Sequence, residues 1–206
     1  MKKQPSFILF LLAFLLTVSL PSNATEKPTA NDRSSAANYL KENKEKLLKT
    51  VAGLSAQQLL FKADSTRWSI AECLEHIALS ETAIFMIAQT NLKKPAEPDK
   101  RAEIKVSNED IAQRLANRGV KVKAPEVIKP TGKFATSTAA IEAFMSRRDQ
   151  TIAYLETTQD DLENHFWQHP ATGTIDLCQT LVFIGAHCER HRLQIEEVKA
   201  SAGFPK

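Results

Sequence analysis

Apolar residues recur at intervals of three and four in four separate runs of this chain, and nowhere do they alternate with polar ones. Leu40, Leu47, Leu48 and Val51 mark the first run, with the Lys44 position continuing its stripe. Ile70, Cys73, Leu74, Ile77, Ile84, Ile87 and Ala88 mark the second, and Ile141, Phe144, Met145, Ile152 and Leu155 the third. The fourth reads Leu177, Leu181, Ile184, His187 with Cys188, His191, Ile195 and Val198. Such spacing lines one face of a helix. Alternating Val, Ile and Thr between turn pairs are absent, so no strand is predicted. Four helices, each with one stripe to bury, predict an all-α fold: a four-helix bundle.

Local signals set the helix ends. Asn31 or Asp32 is the expected cap of the first helix and Gly53 closes it. Ser69 and Glu72 form a capping box that opens the second. The third is expected from about Thr138 to Thr157, and the fourth from Thr174 to a stop at Gly203. Between the second and third, Lys93 to Ser137 is lysine-rich and broken by Pro95, Pro98, Pro125 and Pro130, with one short helix expected from about Asn108 to Arg118. A segment of that length reads as a crossover connection and not as a tight antiparallel turn.

Residues 1–24 have a different character. Lys2 and Lys3 precede an apolar run from Phe7 to Leu20, and Ser22, Asn23 and Ala24 supply small residues for cleavage. This is the pattern of a signal peptide. The run is shorter than the roughly 20 residues a spanning helix needs. Export to a periplasmic or secreted location is expected, with no stable membrane insertion after cleavage. Residues 25–206 then form a single domain. Removing Lys2 and Lys3 from 27 basic residues, against 24 acidic ones, leaves that domain almost neutral with its charges interspersed. Nucleic acid is therefore not an expected partner. The three cysteines, Cys73, Cys178 and Cys188, are an odd number and read as small buried residues.

The fourth stripe places two imidazoles where its other members are aliphatic. His187 and His191 lie four residues apart, so both face the bundle core and converge on a point between helices. Two buried imidazoles resist joint protonation and need partners for their nitrogens, which a divalent metal supplies. His76, beside the stripe of the second helix, adds a third nitrogen. Three protein ligands with an open fourth position make a catalytic arrangement. Zinc or nickel is the expected ion, with iron and copper also compatible with three nitrogens. Glu72, Glu75 and Gln194 are the nearest polar groups for supporting roles, and Cys73 is the candidate for a fourth ligand that would close a structural site instead. His165 and His169 repeat the four-residue spacing, but they precede Pro170 in a polar segment and read as a loop or helix end.

The motifs "WSIAECLEHI" (Trp68 to Ile77), "HPATG" (His169 to Gly173) and "HCERHRLQI" (His187 to Ile195) together resemble the DinB/YfiT-like superfamily of metal-binding four-helix bundles. The resemblance implies an up-down-down-up bundle with its long crossover between helices 2 and 3. It also implies a metal triad at His76, His187 and His191. Members of that superfamily include S-transferases and isomerases that use a low-molecular-weight thiol. Export to an oxidising compartment argues against a thiol cofactor, whereas hydrolysis by metal-activated water needs none. The expected function is a metal-dependent enzyme, hydrolase or thiol-type transferase, with a small-molecule substrate. The alternative is a non-enzymatic bundle that binds metal for stability, sequestration or sensing, and a homodimer remains open in either case.

Overall fold

The computed structural model describes residues 30–120 and 122–206, so the segment read as a signal peptide lies outside the described residues. Among the described residues there are six α-helices: α1 (Ala30–Val51), α2 (Ala56–Leu60), α3 (Ile70–Leu92), α4 (Asn108–Ala116), α5 (Ser137–Thr157) and α6 (Leu177–Lys199). Strands β1 (Phe166–His169) and β2 (Gly173–Asp176) precede α6. Two 3-10 turns, Pro98–Glu103 and Glu126–Ile128, lie in the crossover.

The four long helices, α1, α3, α5 and α6, form the bundle, and side-chain pairs fix their directions. Arg33 near the start of α1 bonds the Thr158 carbonyl just past α5, so these two helices run antiparallel. Thr50 near the end of α1 bonds Glu196 near the end of α6, so α1 and α6 are parallel. Phe85, late in α3, meets Tyr154, late in α5, so those two are parallel. The order is therefore up-down-down-up, as expected. Both α1 and α3 pack along both α5 and α6, which sets each pair on a diagonal. The α1–α6 contact is close because of Gly185: a Cβ there would come within 2.7 Å of the Tyr39 ring.

The crossover uses its length to climb back along the bundle. Its α4 packs on α6, and Glu126–Ile128 packs on α3. Arg190 of α6 donates to the Leu115 and Asn117 carbonyls and so satisfies the C-terminus of α4.

Several expectations are corrected. A strand pair exists where none was predicted: β1 and β2 form an antiparallel hairpin with His169 opposite Gly173. Phe166, Trp167, Thr174 and Ile175 carried the β-forming composition, with a three-residue turn between them. Thr174 therefore lies in β2. Asp176 opens α6 instead, in a capping box with Gln179. The first helix already includes positions 31 and 32, ahead of both expected caps, and the side chains there lie outside the described residues. Its inward face carries Asn43, while Lys44 reaches out to Asp149. The short α2 was signalled by a capping box of Ser55 and Gln58.

The core falls into two apolar clusters. One gathers Leu40, Ile84, Ile152, Leu155, Leu177 and Leu181, and the other Leu47, Ile70, Leu74, Ile77, Phe144 and Ile195. Between them runs a buried polar layer. Arg148, 0% exposed, makes a two-pronged pair with Glu81, 1% exposed, and donates to the Leu40 carbonyl. The layer ties α1, α3 and α5 together. It also reaches α6, where burial pushes the Cys188 thiol up to about 12 beside Arg148. Burial opposes the Arg148 cation, but Glu81 outweighs it and holds the guanidinium charged.

Candidate metal centre

His76 sits in the second turn of α3, one residue after Glu75, while His187 lies at the middle of α6 and His191 in its second half. Because α3 and α6 run antiparallel, the start of one lies beside the end of the other. All three imidazoles meet there, with ring centroids 5.0, 4.4 and 4.6 Å apart. One nitrogen from each ring lies within 4.8 Å of the other two, and no cysteine or carboxylate among the described residues joins that group. His76 is 2% and His191 7% exposed, while His187 keeps partial access to solvent.

Hydrogen bonds decide which nitrogen each ring offers. His76 Nδ1 lies 2.7 Å from the Ile128 carbonyl, which can only accept, so Nδ1 carries the proton and Nε2 presents a lone pair. His191 Nδ1 donates to Gln194 Oε1 at 2.9 Å, with the same result. His76 Nε2 and His187 Nε2 are 3.3 Å apart. That matches the separation of about 3.4 Å between two ligands of a tetrahedral ion at about 2.1 Å from each.

Electrostatics favour the same state. Burial holds all three imidazoles below the ordinary histidine value, His187 and His191 well below it. A proton on His76, the Arg190 cation and a proton on His169 would each press His187 further down, and protons on His187 and His76 would do the same to His191. Neutral rings with free lone pairs are the form that binds metal.

The supporting residues separate. Gln194 orients His191. Glu75 accepts the backbone N–H groups of Thr131, Gly132 and Lys133 at 2.9 to 3.0 Å. Glu72 remains a cap, bonded to the Ser69 N–H and paired with Lys62. Cys73 is fully buried among apolar neighbours, where burial pushes its thiol far up, and it does not reach the histidine group.

The site has aromatic walls. Trp68 lies 4.8 Å from His76 and 5.9 Å from His191, and Phe183 stacks on His187 at 6.3 Å. The hairpin brings His169 onto Phe183, 4.7 Å between centroids, and onto Trp167 at 4.9 Å. His169 Nδ1 accepts the Ala171 N–H, which leaves the proton on Nε2. From sequence, His165 and His169 share one expectation, a loop or helix end. The two part company in the structure, since His165 bonds the Asp161 and Lys94 carbonyls away from the centre. The β-forming residues Phe166, Trp167, Thr174 and Ile175 are the sequence signal that separates them.

These features have counterparts in known proteins. "Uncharacterized protein YuaE" of Bacillus subtilis (strain 168) is 29% identical over 147 residues, covering 71% of this chain and 86% of that protein. Among solved structures, YfiT from Bacillus subtilis superposes with a TM-score of 0.58 at 16% identity, over 87% of this chain and 93% of YfiT. YfiT is described as a probable metal-dependent hydrolase with an unusual four-helix bundle topology, and at that identity the likeness speaks for the fold. A model of the DinB superfamily matches residues 39–195, a span that begins in α1 and takes in both motif helices and all three histidines. On that match, the chain belongs to the DinB superfamily.

Proposed function

We propose that this protein is a metal-dependent enzyme acting on a small molecule, with His76, His187 and His191 holding a divalent ion, zinc or nickel. The observation that carries this reading is a convergence of three imidazoles, two of them locked as Nε2 donors, with no cysteine or carboxylate among the described residues joining the group. A divalent ion held by three protein ligands keeps a position for water or substrate, polarises an oxygen bound there and lowers the pKa of water toward neutrality. The chain's own residues supply the rest. Trp68 and Phe183 give the centre an apolar wall, and His169, packed on Phe183, carries Nε2–H as a donor for bound substrate. Hydrolysis is the favoured reaction, in keeping with the description of YfiT. Thiol-type transfer is the second chemistry that an open position admits. Export belongs to the same proposal, supported by the pattern of residues 1–24.

The test is metal analysis of protein recovered from its native host, with N-terminal sequencing of the same sample. About one equivalent of divalent metal, lost in His191→Ala, and a chain beginning at Thr25 are the expected results. Metal-free protein, or full metal retention by His191→Ala, overturns the centre, and an intact Met1 overturns export.

A further inference from the structure

Glu75 and His76 are adjacent in sequence and both grip the crossover, at points only a few residues apart. Glu75 Oε1 accepts the N–H groups of Thr131 and Lys133, each at 2.9 Å, and Oε2 accepts that of Gly132 at 3.0 Å. His76 Nδ1 donates to Ile128 at 2.7 Å. The three N–H groups turn toward one carboxylate because Gly132 adopts φ +77°, a conformation that L side chains rarely take. Burial would raise the carboxyl of Glu75, but the three backbone bonds and Lys133 outweigh it and hold the group below its ordinary value. The bonds are therefore charge-assisted.

We propose that Glu75 is a positioning residue for the three-histidine centre. By clamping Thr131–Lys133 it keeps the Ile128 carbonyl against His76 Nδ1, and so keeps the His76 lone pair on Nε2, aimed at His187 and His191. The crossover thus supplies for His76 what Gln194 supplies for His191. The inference rests on the metal reading above for its consequence, but not for its mechanism. Outer partners of this kind, when removed, typically weaken metal binding by about 10- to 100-fold.

The clamp can be loosened from either side. Glu75→Gln puts an amide NH2 and only one acceptor before three N–H donors. Gly132→Ala disturbs the turn without touching α3: a Cβ meets no atom within 4 Å, so the strain is confined to the backbone. Two measurements are made on each variant and the parent. Zinc dissociation constants come from competition with a chelator, and the His76 and His191 tautomers come from imidazole nitrogen NMR of the metal-free protein. Both variants should bind zinc at least tenfold more weakly. His76 should shift to a mixture of Nδ1–H and Nε2–H forms, with His191 remaining Nδ1–H. Glu75→Asp should recover part of both effects. Zinc affinity within twofold of the parent in both variants overturns the proposal, as does weakened binding with an unchanged His76 tautomer. If the parent itself binds neither zinc nor nickel, the metal reading fails, yet the tautomer shift in metal-free protein still decides whether Glu75 positions His76.

Discussion

Replacing Arg148 by methionine should cost this protein a large part of its stability, with a pH signature that identifies the cause. Arg148 is 0% exposed and Glu81 1%, so neither charge has water to fall back on. The substitution removes both prongs to Glu81 and the bond to the Leu40 carbonyl, leaving a buried carboxylate without its cation. Breaking a buried pair in this way costs about 3–5 kcal/mol, a severe loss against the roughly 5–15 kcal/mol of a typical domain. At about 2–4 °C per kcal/mol for a chain of this size, the melting temperature should fall by roughly 6–20 °C. Burial already lifts Glu81 above the usual carboxylate value, and without Arg148 it rises further. A carboxyl raised above its unfolded value of about 4.3 loses stability as pH rises toward its folded value. The penalty should therefore be smaller at pH 5 than at pH 8. Urea denaturation of metal-free parent and variant at both pH values measures it. A penalty below about 1 kcal/mol, or one equal at both pH values, would refute the reasoning. The double variant Glu81→Leu with Arg148→Met should recover most of the loss, because an apolar pair leaves no charge unmet.

Cys73→Ser should retain full metal stoichiometry while losing about 1–3 kcal/mol from an unmet buried hydroxyl, and metal lost along with melting temperature would return Cys73 to the coordination sphere. Metal-free protein should lose stability as pH falls below about 6.5, because burial holds His76, His187 and His191 below that value and the unfolded chain takes up protons first. The slope is bounded by about 1.4 kcal/mol per pH unit for each histidine. A denaturation series in chelator checks it, and a flat profile from pH 7 to 5 would contradict the burial of the triad. His169→Ala should leave metal content unchanged yet lower turnover of any substrate the parent accepts by about a hundredfold, the usual scale for a proton donor. Equal turnover would remove His169 from the reaction.

The four long helices and the His187–His191 pair could be read from sequence because both rest on helical periodicity. Residues three and four apart share a face wherever the helix sits, so His187 and His191 had to point the same way, and the capping box at Ser69 fixed where α3 begins. Arg148 and Glu81 also lie at stripe positions, but so does Lys44, which faces outward, and periodicity alone does not separate the two cases. Periodicity says which face is inward and nothing about what stands opposite it. The antiparallel meeting of α3 with α6 brought His76 to His187, and the return of the crossover brought Ile128 to His76 Nδ1. A fold of the chain on itself at Thr172 carried His169 to Phe183. The apolar packing that drew Cys73 away from the centre is likewise a contact between distant segments. Residue order along α6 set His187, His191 and the Gln194 partner of His191, and only tertiary packing brought in His76, its Ile128 carbonyl and the aromatic walls.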